Sequence, residues 1–373
     1  MAEKTYDSSG ALKKQLSQTF DSYNRLATTA QGDPLNPLET TDPSFAPDGT
    51  LATSTDGNNA LTDYSYDALK RLTRVVKNQG GADPATADTP TAYGYDVADR
   101  LTTVTDPNTG TTTYSYDDLG NLLRQISPDT GTTDFQYDAA GNLIQKTDAR
   151  GQVFTYTYDA LNRLTRLDAP GSNDDITYTY ATCPNGVGRL CTVTYGTGSL
   201  PTGNQVHYQY NAFGDIVQHQ GLRYGYDGQG RVQTLDYPSG SRLTTIYDVA
   251  GQISQVDFTV NGQTQTLAGS LSYAPFGPVT GLTYGNGLTL TQSLDQAYRL
   301  TAQQVADNPT TPTVIALDRT YPGYDANGNR LSQTDALATP SSFSYDPLNR
   351  LDTAAGPFGG GTTTMTPTAT APS

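Results

Sequence analysis

The sequence has no tryptophan and only two histidines, two cysteines and two methionines among its 373 residues. Nucleophilic catalysis needs a base beside the nucleophile, and the histidine candidates are limited to His207 and His219. His207 alternates with Tyr208 and Tyr210 in a strand-like stretch, which favours a position in a β-sheet wall. No nucleophile elbow, zinc-protease motif or phosphate-binding glycine loop occurs. We therefore expect a protein that is not an enzyme, with no catalytic residue, metal site or cofactor.

Basic residues are also scarce, because 22 lysines and arginines stand against 37 acidic residues and give a net charge of −15. Phosphate backbones are bound by clustered Lys and Arg, so the sequence predicts no nucleic-acid partner. No apolar run approaches the ~18 residues that a membrane span requires, so we expect no membrane span. The first residues, Met1 to Lys4, carry no hydrophobic signal segment, and an export signal is therefore not visible.

Long apolar stretches are missing as well. Only 35% of the chain is hydrophobic, whereas Gly (37), Pro (22) and Tyr (26) are abundant. No segment keeps the helical apolar period over several turns, and Gly, Pro or Asn-Gly interrupts almost every stretch of roughly ten residues. This composition excludes a thick apolar core and indicates an all-β repeat protein or shell.

A Tyr-Asp pair recurs through the chain at a fixed interval of 21 residues. The pairs at this interval begin at Tyr95, Tyr116, Tyr137 and Tyr158, then at Tyr226 and Tyr247, and then at Tyr324 and Tyr345. A fixed period of this length means one supersecondary unit per repeat, and alternating Tyr, Thr and Ser followed by turn residues predicts a β-hairpin.

Three residue types are expected to have separate structural roles within each hairpin. The tyrosines are expected to form a ladder between neighbouring hairpins, namely Tyr95, Tyr116, Tyr137, Tyr158, Tyr226, Tyr247 and Tyr345. The following aspartate can accept backbone N–H bonds and start a turn, as at Asp96, Asp117, Asp138, Asp159, Asp227 and Asp248. Gly or Asn three residues later supplies a left-handed backbone, as at Gly120, Gly141, Asn162, Gly230 and Gly251. Calcium binding is the alternative for these carboxylates, but no EF-hand-like loop supports it.

The repeat predicts one array over residues 1–355, with about thirteen hairpins and a long loop at residues 27–63. Thirteen hairpins give about 26 strands, and a sheet of that width would exceed ~100 Å and must coil. We therefore predict tandem hairpins that form one long spiralling sheet. The Gly-, Thr- and Pro-rich residues 356–373 are expected to form a low-complexity flexible tail.

Cys183 and Cys191 flank the tight-turn signal Asn185-Gly186, so their thiols could face each other across a hairpin. We expect a disulfide between them if the protein is exported and two small buried thiols otherwise.

The recurring Tyr-Asp-x-x-Gly-Asn-Leu pattern resembles the RHS/YD-repeat family over residues 3–355. The resemblance implies a hollow, barrel-like or cocoon-shaped β-sheet shell. In bacterial RHS proteins and toxin-complex C subunits such a shell encloses a C-terminal toxin, and in teneurins it forms a barrel. The Asp-Pro-x-Gly motifs of the self-cleaving segment are missing, because Asp83-Pro84, Asp106-Pro107 and Asp346-Pro347 lack the glycine.

Three functions remain open at this point. The leading hypothesis is a structural shell of a bacterial secreted or cell-surface protein, whose partner is an enclosed polypeptide. The second is a carbohydrate-binding or adhesion module, in which tyrosine rings stack on cell-wall or matrix glycans. The third is a surface filament formed by end-to-end self-association of unpaired strands.

Overall fold

The computed structural model describes residues 1–7, 9–33, 36–83, 86–171, 174–196, 205–307, 312, 314–336, 338–357 and 363–364. These residues form strands and turns and no helix. Accordingly, no helix of membrane-spanning length and hydrophobicity occurs in the described part of the chain.

The described residues form 32 strands. The first eleven are β1 (Ala2–Tyr6), β2 (Leu12–Phe20), β3 (Leu26–Asp33), β4 (Asn36–Phe45), β5 (Leu51–Asp56), β6 (Leu61–Tyr66), β7 (Leu72–Lys77), β8 (Thr89–Tyr95), β9 (Leu101–Thr105), β10 (Thr111–Tyr116) and β11 (Leu122–Ser127). The next eleven are β12 (Gly131–Tyr137), β13 (Leu143–Thr147), β14 (Val153–Tyr158), β15 (Leu164–Asp168), β16 (Ile176–Tyr180), β17 (Leu190–Tyr195), β18 (Gln205–Tyr210), β19 (Ile216–His219), β20 (Leu222–Tyr226), β21 (Val232–Asp236) and β22 (Arg242–Tyr247). The last ten are β23 (Ile253–Val260), β24 (Gln263–Tyr273), β25 (Val279–Tyr284), β26 (Thr289–Leu294), β27 (Leu300–Ala306), β28 (Ile315–Tyr324), β29 (Arg330–Asp335), β30 (Ala338–Tyr345), β31 (Leu351–Ala355) and β32 (Thr363–Thr364).

The strands belong to one antiparallel sheet in which sequence neighbours pair with each other. In the repeat around β10 and β11, Tyr114 lies opposite Gln125, and the register shifts by one residue before Tyr116 meets Leu122. The same shift precedes Tyr137 opposite Leu143. The predicted all-β array of tandem hairpins is confirmed, and each 21-residue repeat supplies two strands and two turns.

The prediction of a long loop at residues 27–63 is wrong, because β3 to β6 run through this region. Phe45 and Ala46 replace the Tyr-Asp pair there, which hides the repeat. The turn forms without that pair: the Ala46 N–H donates to the Thr50 carbonyl at 2.9 Å, Asp48 Oδ1 accepts the Thr50 N–H at 3.1 Å, and Gly49 has a φ of 88°. Pro37 is tolerated in β4 beside a register irregularity. These strands also raise the number of hairpins above the predicted thirteen.

The chain forms two compact units. The first comprises Met1–Thr91, Tyr247–Val256 and Thr266–Ser373, and the second comprises Ala92–Ile246 and Asp257–Gln265. The predicted tail at 356–373 falls mostly on residues 358–362 and 365–373, which lie outside the described residues.

Buried apolar side chains are few in both units. In the second unit, Val193 and Val206 lie opposite each other on β17 and β18 and are 5% and 1% exposed. In the first unit, Val76 is 2% exposed and Leu290 is 8% exposed. Most other strand residues are half-buried. The sheet is therefore held mainly by its backbone ladders and by contacts between neighbouring hairpins rather than by a thick core.

Candidate functional site

One five-residue turn recurs at both ends of the strands. In the turn that begins at Asp117, the Asp117 N–H donates to the Asn121 carbonyl at 3.0 Å, and the Gly120 N–H donates to the Asp117 carbonyl at 3.1 Å. Gly120 has a φ of 88°. A type I turn followed by a left-handed residue forms a hairpin loop with a bulge, which accounts for the register shift beside each tyrosine.

The left-handed position accepts several residue types. Four of the five predicted turns have glycine there, with φ between 78° and 88°: Gly120, Gly141, Gly230 and Gly251. The fifth has Asn162, with a φ of 59°. Lys70 takes the same place with a φ of 63° and Asp99 with 62°. Because a non-glycine residue pays a strain cost in this region, the surrounding hydrogen bonds must hold the turn in shape.

The carboxylate of the turn aspartate supplies those hydrogen bonds. Asp159 Oδ1 accepts the N–H groups of Leu161 at 2.9 Å and Arg163 at 3.0 Å. The predicted turn residues that make the same pair of contacts are Asp96, Asp117, Asp138, Asp227 and Asp248. The second oxygen has a partner of its own, since Arg163 Nε donates to Asp159 Oδ2 at 2.7 Å. We call this arrangement of carboxylate, two N–H groups and a side-chain donor the clasp.

The side-chain donor of the clasp is Arg in some repeats and Asn in others. Asn121 Nδ2 donates to Asp117 Oδ2 at 2.8 Å in place of a guanidinium. The hydrogen bond from the Arg163 side chain, together with the backbone N–H bonds, holds the pKa of Asp159 below its ordinary value. The Asn121 side chain does the same for the pKa of Asp117. The carboxylates are therefore occupied by their own turns.

The repeat tyrosines join one hairpin to the next. The hydroxyl groups of Tyr116 and Tyr158 donate to the carbonyls of Leu101 at 2.8 Å and Leu143 at 3.0 Å, each at the start of the preceding return strand. Tyr226 donates in the same way to Ile216 at 2.7 Å. Burial raises the pKa of the Tyr116 and Tyr158 hydroxyl groups. The other predicted ladder residues, all half-buried, are Tyr95, Tyr137, Tyr247 and Tyr345.

The clasp arginine also packs against the next aromatic ring. The Arg163 guanidinium lies 4.3 Å from the centre of the Tyr180 ring, and the Arg100 guanidinium lies 5.2 Å from that of Tyr116. A guanidinium over an aromatic face is attracted by the ring electrons. One arginine thus links its own turn to the following hairpin.

Cys183 and Cys191 form a disulfide with an S–S distance of 2.08 Å. It holds the loop between β16 and β17, in which Gly186 packs so closely that an added Cβ would lie 2.4 Å from Cys183 Sγ. The Asn185 side chain reaches the following hairpin and donates to the Tyr210 carbonyl at 2.9 Å. The disulfide loop is therefore closed by its own covalent bond and joined to the following hairpin by a hydrogen bond.

The two histidines lie in the second unit on β18 and β19. Thr192 Oγ1 lies 3.2 Å from His207 Nδ1, and the His219 ring lies 4.8 Å from the Tyr208 ring. Among the residues that the structure describes, no three His, Cys, Asp or Glu side chains are grouped so that they could hold a metal ion.

Sequence reasoning missed the donor that completes the clasp. An Arg or Asn directly before the returning aliphatic residue recurs in the sequence, as in Asn162-Arg163-Leu164 and Gly120-Asn121-Leu122. That recurrence, four residues after the aspartate, could have identified the clasp.

Three segments of the chain, residues 95–133, 137–174 and 324–362, match the family model described as RHS Repeat. These three segments carry the RHS repeat. No curated protein sequence matches it.

Solved structures of toxin complexes share the fold. The crystal structure of TcdB2-TccC3 superposes on 95% of this chain with a TM-score of 0.70 at 17% identity. The Photorhabdus luminescens Tc holotoxin pore superposes on 95% of the chain with a TM-score of 0.63, also at 17% identity. This chain spans only 23% of the length of the chain matched in either structure. The chain therefore shares its fold with part of these toxin-complex proteins.

Proposed function

We propose that the RHS chain is a wall segment of a shell that encloses a polypeptide, in a bacterial secreted or cell-surface protein. The observation that carries this proposal is the shared fold, which extends over 95% of the chain in TcdB2-TccC3. The clasps add support, because they use the repeated carboxylates for turn formation and make architecture the simplest role of the repeat. The proposed role is structural, with no chemistry of its own.

The tyrosine geometry favours a wall over a glycan-binding platform. A sugar-stacking tyrosine exposes its ring face and leaves its hydroxyl to the ligand or water. Here the hydroxyls of Tyr116, Tyr158 and Tyr226 are bound to neighbouring carbonyls, and their rings are half-buried. These tyrosines therefore act between hairpins.

The absence of tryptophan from the chain gives a direct test. We would fuse a tryptophan-containing unfolded polypeptide to the carboxyl end and quench its fluorescence with iodide. Enclosure predicts quenching several-fold weaker than for the same polypeptide after it is cut free and separated. Equal quenching in both samples would overturn the proposal. Equal quenching combined with specific binding on a glycan array would favour the carbohydrate-binding alternative.

A further inference from the structure

Two turns far apart in the sequence meet within the first unit. Asn58 Nδ2 donates to Asp325 Oδ2 at 2.9 Å, and the Asn58 backbone N–H donates to Asn327 Oδ1 at 3.3 Å. Asn327 Nδ2 donates in the other direction, to Asp56 Oδ2 at 2.7 Å. The residues in these pairs lie 267 to 271 positions apart. We call the two segments, residues 56–60 and 325–329, the latch turns.

Gly57 brings the two backbones into direct contact. An added Cβ at Gly57 would lie 1.9 Å from the Ala326 carbonyl oxygen and 2.5 Å from its carbonyl carbon. No real Cβ atom approaches a backbone this closely, so any side chain here would separate the latch turns. The backbone of Gly57 is not in the left-handed region. The requirement for glycine therefore comes from the contact and not from the conformation of its own turn.

Arg299 joins the same parts of the chain beside the latch turns. Its Nη1 donates to the Leu38 carbonyl at 3.3 Å and to the Asp325 carbonyl at 3.4 Å, and lies 3.7 Å from Glu39 Oε1. Asp295 Oδ2 holds its Nε at 2.7 Å, and the Arg299 side chain is only 13% exposed. The largely buried Arg299 guanidinium thus joins the segment at Leu38 to the latch turn at Asp325.

The chemistry of this contact differs from that of the sheet around it. Neighbouring strands are joined by continuous backbone ladders, whereas the bonds between the latch turns involve amide and carboxylate side chains. Water can replace such bonds when the turns separate, so each contributes little net stability. Separation of the latch turns breaks no strand pair.

We propose that the latch turns form a polar latch, which opens and closes while the strand ladders on both sides stay paired. Its role, which rests on the proposed function, is to join two sequence-distant parts of the wall that can separate without loss of a strand pair.

The first test is amide hydrogen exchange of the full chain with Gly57→Ala. We expect exchange in residues 325–329 to rise about tenfold, the effect of losing the net contribution of one or two hydrogen bonds. Exchange in the ladders of β5 and β29 should not change. Gly228→Ala is the matched control, because Gly228 is also outside the left-handed region and an added Cβ there meets nothing within 4 Å.

A second variant, Asn327→Asp, keeps the size of the side chain and places a third carboxylate between Asp56 and Asp325. It should accelerate exchange in residues 56–60, although they lie far away in the sequence. Asn108→Asp is its control, because Asn108 occupies the same position in the turn that begins at Asp106. Unchanged exchange in the opposite latch turn in both variants, or an equal rise in the ladders, would overturn the latch.

Different experiments would contradict the latch and the proposed function. The exchange measurement requires no enclosed polypeptide, and the tryptophan measurement requires no opening of the latch. Coupled exchange together with unshielded tryptophan would remove the shell function and retain the latch as a structural contact that opens.

Discussion

Two neighbouring hairpins in the second unit are closed by different chemistry. β14 and β15 are joined by the five-residue turn whose clasp is centred on Asp159. β16 and β17 are joined by a longer loop in which Ala181 takes the place of the aspartate, and the Ala181 N–H donates to the Arg189 carbonyl at 3.0 Å. The disulfide supplies the closure that a carboxylate supplies in the first hairpin.

The links to the following hairpin are nevertheless the same in both. Tyr180 donates its hydroxyl to the Leu164 carbonyl at 2.8 Å, and Tyr210 donates to the Leu190 carbonyl at 2.7 Å. The Arg189 guanidinium lies 5.5 Å from the Tyr210 ring centre, as Arg163 lies over Tyr180. The closure of a loop can therefore be exchanged, whereas the tyrosine link between hairpins is kept.

The largest expected effect is on the disulfide loop. Replacing Cys183 and Cys191 together by serine should lower the local free energy of opening by about 2–3 kcal/mol, the chain-entropy value for so short a loop. Hydrogen exchange of β16 and β17 measures this change, and exchange in β14 and β15 provides the internal reference. Protection equal to that of the oxidised wild type would show that the loop needs no covalent closure.

Removing the carboxylate should have the next largest effect. Asp159→Ala leaves two N–H groups and Arg163 without their acceptor and should destabilise β14 and β15. Local exchange in these strands is the measurement. Asp118→Ala is the control, because it removes an exposed carboxylate from the second position of a turn. If both variants behave alike, the clasp contributes nothing beyond its charge.

Removing a tyrosine hydroxyl should have a smaller effect that is equal on both sides of the comparison. Tyr180→Phe and Tyr210→Phe each delete one bond to a carbonyl and should each cost about 0.5–1.5 kcal/mol. Denaturation of the two single variants, followed in the oxidised protein, tests the equality. A clearly larger effect at Tyr210 would mean that the disulfide loop depends more on its neighbour.

Acid pH should have the smallest effect on stability, and it should act on the carboxylate closure but not on the disulfide. The lowered pKa of Asp159 means that folding favours its ionised form, so the contribution of the clasp is present above the ordinary value of 3.8 and is lost as the pH falls through the lower folded value. A disulfide has no such titration. The amide signals of Leu161 and Cys183, followed by NMR from neutral to acid pH, should lose their native positions in that order. Simultaneous loss would contradict the assignment.

Local turn chemistry made much of this fold predictable. Asp159 and Asn162 specify a turn through bonds within five residues, and equivalent turn residues recur along the chain with the 21-residue period. The prediction is wrong at Phe45 and Ala46, because the Tyr-Asp pair is absent there while Asp48 and the left-handed Gly49 still form the turn.

Long-range contacts lay beyond the reach of the same reasoning. Asn58 and Asn327 look like ordinary turn residues in the sequence, and only the folded chain brings them together. Gly57 resembles many other glycines until the position of the Ala326 carbonyl is known.

The two-strand repeat has a consequence for changes in chain length. Because each repeat runs out and back, a whole inserted or deleted repeat preserves the direction of every later strand and the face of every later side chain. Loss of a single strand would reverse both for the remainder of the chain. Gene duplication can therefore lengthen such an array in steps of one hairpin, and the Tyr-to-carbonyl bond of each new hairpin is formed with whichever neighbour precedes it.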